Sequence, residues 1–204
     1  ALADFTVGAA TRTDAGIVYV VFGKFVAVGA LATNVDLLGF DFPNAAGFRI
    51  LGGASFHYYG ASVSGGRDVN GDGRSDIILG GAWADPGGKI NAGLACVIFG
   101  RSFGQAWNDI DLATTTSSAN LGYRITGAAS EDRFGLAVGH AGDINGDGIR
   151  DIIVGARNAD PNISAVTRTD AGISYVIFGQ GAFLGNVDTA TFASTNVAGF
   201  QIFG

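Results

Sequence analysis

The apolar residues of this chain fall in short runs closed by glycine, and the runs recur in sets. Asp76-Ile-Ile-Leu-Gly-Gly81 and Asp151-Ile-Ile-Val-Gly-Ala156 form one set, and Asp4-Phe-Thr-Val-Gly-Ala9 aligns with them on its aspartate. A second set follows after a turn: Gly16-Ile-Val-Tyr-Val-Val-Phe-Gly23, Gly93-Leu-Ala-Cys-Val-Ile-Phe-Gly100 and Gly172-Ile-Ser-Tyr-Val-Ile-Phe-Gly179. Both sets are β-branched and aromatic and are bounded by Gly, Asp and Asn, which predicts strands. In a third set, Gly47-Phe-Arg-Ile-Leu-Gly52, Gly122-Tyr-Arg-Ile-Thr-Gly127 and Gly199-Phe-Gln-Ile-Phe-Gly204, apolar and polar residues alternate, as on a strand with one exposed face. A fourth set, Tyr59-Gly-Ala-Ser-Val63 and Phe134-Gly-Leu-Ala-Val138, leads into an Asx-rich loop. Four strands in every ~75 residues, with no helical periodicity between them, predict an all-β chain of four-stranded antiparallel β-propeller blades.

The same periodicity divides the chain. It predicts one propeller segment over residues 1–204: a partial blade over 1–46, a repeat over 47–121, a second over 122–198 and the start of another over 199–204. That makes about three blades, one of them incomplete. The less regular stretches Lys24 to Ala46, Arg101 to Leu121 and Gln180 to Ala198 are expected to be outer excursions between strands. They share Asn34-Val-Asp-Leu37, Asn108-Asp-Ile-Asp-Leu112 and Asn186-Val-Asp188. With Asp4 in register with Asp76 and Asp151, residue 1 would begin inside a further loop, and about 20 residues would join Gly204 back to Asp4. Propellers use about 4 to 8 blades, so the chain is expected to be a piece of a longer array or a subunit whose split blade a neighbour completes.

Composition sharpens this picture. A hydrophobic content of 48% with 34 Gly, 3 Pro and no Met suits short strands joined by glycine turns and argues against disorder. A net charge of −6 argues against a nucleic-acid-binding face, which needs to be basic. Cys96 is the sole cysteine, so no intrachain disulfide forms, and its apolar run predicts a buried small hydrophobe. No apolar run approaches the ~20 residues of a membrane span, so no membrane insertion is expected. No signal-peptide pattern opens the chain, which begins without Met as a mature or excised piece would.

The acidic residues are concentrated. Six of the 18 lie in two nine-residue loops, Asp68-Val-Asn-Gly-Asp-Gly-Arg-Ser-Asp76 and Asp143-Ile-Asn-Gly-Asp-Gly-Ile-Arg-Asp151, set 75 residues apart. Unoccupied, these carboxylates repel one another, and hard oxygens in a flexible loop point to calcium. Asp68, Asn70 and Asp72 would supply side-chain oxygens, Arg74 its backbone carbonyl, and Asp76 would close the shell. Asp143, Asn145, Asp147, the carbonyl of Ile149 and Asp151 would repeat the arrangement. Gly73 and Gly148 permit the sharp turn. An EF-hand is disfavoured because its twelfth position would be Leu79 or Val154 instead of Glu, and because the flanks are strands. Two complete Ca2+ loops are expected, and a third if neighbouring residues complete Asp4.

The loops sit between two further signatures. Phe134-Gly135, with Tyr59-Gly60 as its variant, precedes them, and Gly155-Ala156 follows, with Gly8-Ala9 as its counterpart. In these residues the chain resembles, over essentially its whole length, the FG-GAP repeats of integrin α-subunit propellers and of large bacterial secreted proteins. Ala84-Asp85-Pro86 and Ala159-Asp160-Pro161 are similar to the bacterial versions. The resemblance implies an extracellular or cell-surface, calcium-stabilised propeller segment that serves adhesion or surface and filament architecture. Its expected partners are other protein chains, either copies of itself or surface proteins. A carbohydrate-binding module with a glycan ligand, or the scaffold of a larger secreted enzyme, is the alternative.

Catalysis finds no support in the sequence. His57 and His140 occupy non-equivalent places in their repeats and are expected to be hydrogen-bonded structural histidines. Phosphate loops, zinc spacings and serine elbows are absent. Trp83 and Trp107 are expected to be packing residues, although a glycan would stack on them. Arg12 and Arg168 recur in Thr-Arg-Thr-Asp-Ala-Gly, a turn signature between strands. Thr114 to Ser118 reads as a solvated loop, and Asn162-Ile-Ser164 fits a glycosylation sequon.

Overall fold

The computed structural model describes residues 4–7, 9–23, 47–102, 107–114, 117–118, 120–182, 185–192 and 199–204. The stretch 24–46, with Asn34-Val-Asp-Leu37, lies outside the described residues, as do Gly8, Thr115 and Thr116.

The chain is all-β, apart from two single-turn 3-10 helices among the described residues. Strands β1 (Phe5–Val7) and β2 (Ala10–Arg12) form a hairpin with Phe5 opposite Arg12. Strand β3 (Ile17–Val21) pairs antiparallel with β4 (Gly47–Leu51), Tyr19 opposite Arg49. The middle blade contains β5 (Ser62–Arg67), β6 (Asp76–Gly81) and β7 (Leu94–Ile98). After the two-residue β8 (Ile110–Asp111), it is completed by β9 (Gly122–Thr126), and β5, β6, β7 and β9 are antiparallel neighbours in that order. The third blade repeats this plan with β10 (Phe134–Gly142) and β11 (Asp151–Ala156). After the small hairpin of β12 (Asn162–Ile163) and β13 (Val166–Thr167) come β14 (Ile173–Ile177), the two-residue β15 (Val187–Asp188) and β16 (Gly199–Phe203). Strands β10, β11, β14 and β16 form one four-stranded sheet.

The expected excursions do more than connect strands. Strand β8 pairs parallel with β4, and β15 pairs parallel with β9, so each links back to the outer edge of the preceding sheet. The shared Asx residues explain how. Asp109 accepts the Arg49 N–H and Asn186 the Arg124 N–H, both at 2.9 Å, satisfying backbone donors on the outer strand. Ile110 and Val187, which follow them, are buried.

Two cores lie between the sheets. One joins Phe48 and Ile50 of the first sheet to Leu79, Cys96 and Ile98 of the middle one. The other joins Ile78, Val97, Tyr123 and Ile125 of the middle sheet to Phe134, Val154, Tyr175 and Ile177 of the third. With apolar neighbours on both faces, every residue of β7 is buried, hence its unbroken Leu-Ala-Cys-Val-Ile. Cys96 is the buried small hydrophobe expected, and burial pushes its thiol up to about 12.

The structure corrects the register of the N-terminal segment. The Asp4 carboxylate accepts the Asp14 N–H at 2.7 Å, as Asp160 accepts that of Asp170 and Asp85 that of Asn91, both also at 2.7 Å. Arg12 donates to the Gly52 carbonyl and Arg168 to that of Gly204, each at 2.8 Å. Asp4 therefore stands in register with Asp160 and Asp85, in the loop between the second and third strands of a blade. It is not the counterpart of Asp76 and Asp151 and does not close a third calcium loop. The count of about 20 joining residues falls with that alignment. An apolar triplet behind an aspartate is a weak register marker, because the β6 and β11 positions are defined by pairing on both edges, whereas among the described residues β1 pairs with β2 alone.

Candidate metal centre

The two Asx loops join β5 to β6 and β10 to β11, the inner strands of the two complete blades. Glycines with positive φ, Gly71 and Gly73 in one and Gly146 and Gly148 in the other, turn the chain so that amides point inward. The Asp68 carboxylate accepts the N–H groups of Gly71 and Gly73, each at 2.7 Å; Asp143 accepts those of Gly146 at 2.8 Å and Gly148 at 3.0 Å. Asn70 and Asn145 accept from Asp72 and Asp147 at 3.1 Å, and those aspartates accept from Arg74 and Ile149 at 2.8 Å. The two networks share these bonds, and in the first loop Asp68 also accepts the N–H groups of Asn70 and Asp72, each at 3.2 Å.

The last aspartate of each loop anchors it. Asp76 is fully buried and accepts the N–H groups of Val69 and Gly100, both at 2.8 Å. Asp151, also fully buried, accepts those of Ile144 at 2.6 Å and Gly179 at 3.0 Å. Each therefore ties its loop to the turn that leaves the blade's third strand. Burial pushes the Asp76 carboxyl up to about 6; the backbone donors oppose this, and Asp72 and Asp68 add to it by repulsion.

As cation sites the loops are open. Among the described residues no group of three or more His, Cys, Asp or Glu side chains converges as a closed cage. The donors that the loops offer are hard oxygens, and in the first loop a buried carboxylate lies in the field of two others. Such donors are of the type that suits a calcium-type ion, which Asp68, Asn70, Asp72, Asp76 and the Arg74 carbonyl, and their counterparts Asp143, Asn145, Asp147, Asp151 and Ile149, would hold. One contact was not legible in the sequence: the Arg74 guanidinium donates to Asp72 at 3.1 Å, a charge that Ile149 does not supply in the second loop.

The loops differ in what they touch. The carbonyls of Asp68 and Val69 accept the N–H groups of Arg150 at 3.0 Å and Gln180 at 3.2 Å, and Val69 is buried in the core between the middle and third blades. The first loop is thus part of the junction between blades. In the second loop Ile144, at the Val69 position, is 49% exposed.

The other singled-out residues serve packing. Trp107 stacks on Phe48 with ring centroids 4.2 Å apart, and Arg101 lies over its ring. Trp83 meets the edge of Tyr58, and Arg133 lies over it. His140 hydrogen-bonds Ser64 of the neighbouring inner strand through Nδ1 at 2.9 Å, as expected of a structural histidine, while its buried Nε2 has no partner among the described residues. His57 departs from that expectation: its buried Nδ1 has no partner among the described residues. Tyr58, Tyr59, Asp14 and Trp83 border a cleft of about 620 Å³ at the ends of the blades opposite the Asx loops.

Residues 134–177 match the family model described as FG-GAP repeat. The chain is 33% identical over 113 residues to phosphatidylinositol-glycan-specific phospholipase D of Bos taurus, covering 55% of this chain and 12% of that protein. It is 32% identical over 139 residues to integrin alpha-PS2 of Drosophila melanogaster, covering 65% of this chain and 8% of that one. The chain therefore spans only about a tenth of the length of these relatives.

Proposed function

Starting from a chain that carries an FG-GAP repeat and is homologous over part of its length to integrin α and to a phospholipase D, we propose a non-catalytic, calcium-stapled propeller segment. It works at the cell surface or outside the cell, in adhesion or surface architecture. Calcium occupies the loops at Asp68 to Asp76 and Asp143 to Asp151, and other protein chains are engaged through the loops at the opposite ends of the blades.

The observation that carries this reading is the duplicated loop network, set each time between the two inner strands of a blade and anchored by a buried aspartate. A site repeated with the blades serves the blades; chemistry would call for a unique cluster. Calcium would supply the positive charge that the buried Asp76 and its carboxylate neighbours lack, so that binding favours the folded state. The match to the phospholipase covers only 12% of that enzyme, so it carries no activity over to this chain.

Melting the protein in excess calcium and in chelator tests this. Calcium is expected to raise Tm by roughly 5 °C or more, with magnesium much less effective. An identical melting curve in both conditions would remove calcium from the proposal.

A further inference from the structure

The two junctions between consecutive sheets share a backbone and differ in side chains. The N–H groups of Phe56 and Tyr58 donate to the carbonyls of Thr13 and Asp14 at 2.9 and 3.2 Å, as those of Glu131 and Arg133 donate to Ile90 and Asn91 at 2.8 and 3.2 Å. Asp14, Phe56 and Tyr58 have φ of 50°, 61° and 52°; Asn91, Glu131 and Arg133 have 50°, 68° and 57°. The positions therefore correspond one to one. Trp83 corresponds to Asn158, since the N–H groups of Ala84 and Ala159, which follow them, bond the carbonyls of Gly81 and Ala156.

At the second junction these side chains satisfy one another. Asn91 Nδ2 donates to Glu131 Oε1 at 2.9 Å, and the Arg133 guanidinium donates to Glu131 Oε2 at 3.0 Å. At the first junction a carboxylate and two aromatic residues hold those places, and among the described residues the Asp14 carboxylate takes part in no hydrogen bond or ion pair. Asp14 lines the cleft of about 620 Å³ with Tyr58, Tyr59 and Trp83, and no Lys, Arg or His is among the described residues that line it. Tyr58 and Trp83 meet at 67° with centroids 5.2 Å apart, and the Arg133 guanidinium lies 5.3 Å over the Trp83 ring, so this ring already accepts a cation.

We propose that this cleft binds an aliphatic primary ammonium, the chemistry of a lysine tip, whose charge pairs with Asp14 and whose methylene stem lies along Tyr58 and Trp83. A carboxylate without a partner calls for a charged donor, and aromatic walls favour both a cation and an apolar stem. A saccharide or a guanidinium is a poorer occupant, because one charged side chain among apolar walls leaves most of their O–H or N–H groups unpaired. The second junction, with its own ammonium-like partner built in as Arg133, has no such vacancy beside Asn91. The inference uses neither calcium nor the adhesion reading, so it survives if either fails.

Amide and indole proton–nitrogen shifts of the intact chain, followed at pH 7 as pentylamine is added, test this. Shifts centred on the Trp83 indole and the Gly60 and Ala61 amides are expected, saturating with Kd of roughly 1 mM. Neither pentanol nor methyl glucoside should reproduce them. Two substitutions borrow residues that the same backbone carries at the second junction, so the fold accepts them. Asp14→Asn should weaken binding about tenfold or more, and Tyr58→Arg, which brings a tethered cation to the cleft, should abolish it. Unchanged spectra elsewhere in the chain show that both variants are folded. No response to pentylamine, an equal response to pentanol, a stronger one to methyl glucoside or ethylguanidinium, or undiminished binding by Asp14→Asn overturns the proposal. Nα-acetyl-lysine amide then separates the sources: tighter binding than pentylamine assigns the cleft to a lysine side chain of another protein, and weaker binding to a free amine.

Discussion

Arg12 shows how a single side chain of a turn motif fastens the edge of its own sheet. Its guanidinium bonds both oxygens of Asp111, one at 2.9 Å, and the Gly52 carbonyl, so the turn before β3 is fastened to the outer edge of its own sheet. The hydrogen bonds to Arg12 hold the Asp111 carboxyl below the usual carboxylate range, with burial opposing and the Ala113 N–H assisting. A depressed carboxyl stabilises the fold at pH values above its unfolded pKa, about 4, and that contribution is lost as pH falls through the lower folded value. Asp111→Asn should cost about 1–2 kcal/mol at pH 7. In urea titrations the variant and the parent should converge as pH falls through the folded value; a difference that persists at the acid end would show that charge is not the cause.

At the scale of the element, the Asx loops share a common set of internal bonds and are unequal in setting. Asp68→Ala removes the acceptor for Gly71 and Gly73 and so loosens a loop whose carbonyls hold Arg150 and Gln180 of the third blade. Asp143→Ala removes the same acceptor from a loop whose Ile144 faces solvent. In calcium-free buffer the first change should cost roughly 2 kcal/mol and the second about 1. Equal losses in denaturant unfolding would show that the junction does not draw on the loop. The two-residue strands β8 and β15 make the complementary connection at the outer edge, where Asx side chains stand in for the backbone partner that an edge strand lacks.

In the molecule as a whole, stability should follow how many faces of a sheet are covered. The middle blade lies between two cores and all of β7 is buried, whereas the first sheet has a core on one side and the β1–β2 and β12–β13 hairpins stand apart. Native-state hydrogen exchange should therefore find its slowest amides in Leu94–Ile98 and its fastest among the paired residues of the two hairpins. Slower exchange in β3 or β16 than in β7 would contradict that order.

The all-β class, the strands of the complete blades and the two Asx loops were legible in the chain, because each rests on local chemistry: period-two or β-branched runs, glycine at turns, and Asx side chains at fixed spacing. Cys96 was legible for the same reason, its run being apolar on both faces. The register of Asp4 was not, since an aspartate before three apolar residues suits either of two strands and only the bond to the Asp14 N–H decides between them. Nor were the parallel pairing of β8 with β4 and of β15 with β9, or the burial of Val69 against exposed Ile144. Those depend on which sheet lies against which. The sequence by itself determined what each repeat folds into, through contacts made within a few residues; the tertiary structure alone decided how the repeats meet, because those contacts join residues that no periodicity brings together.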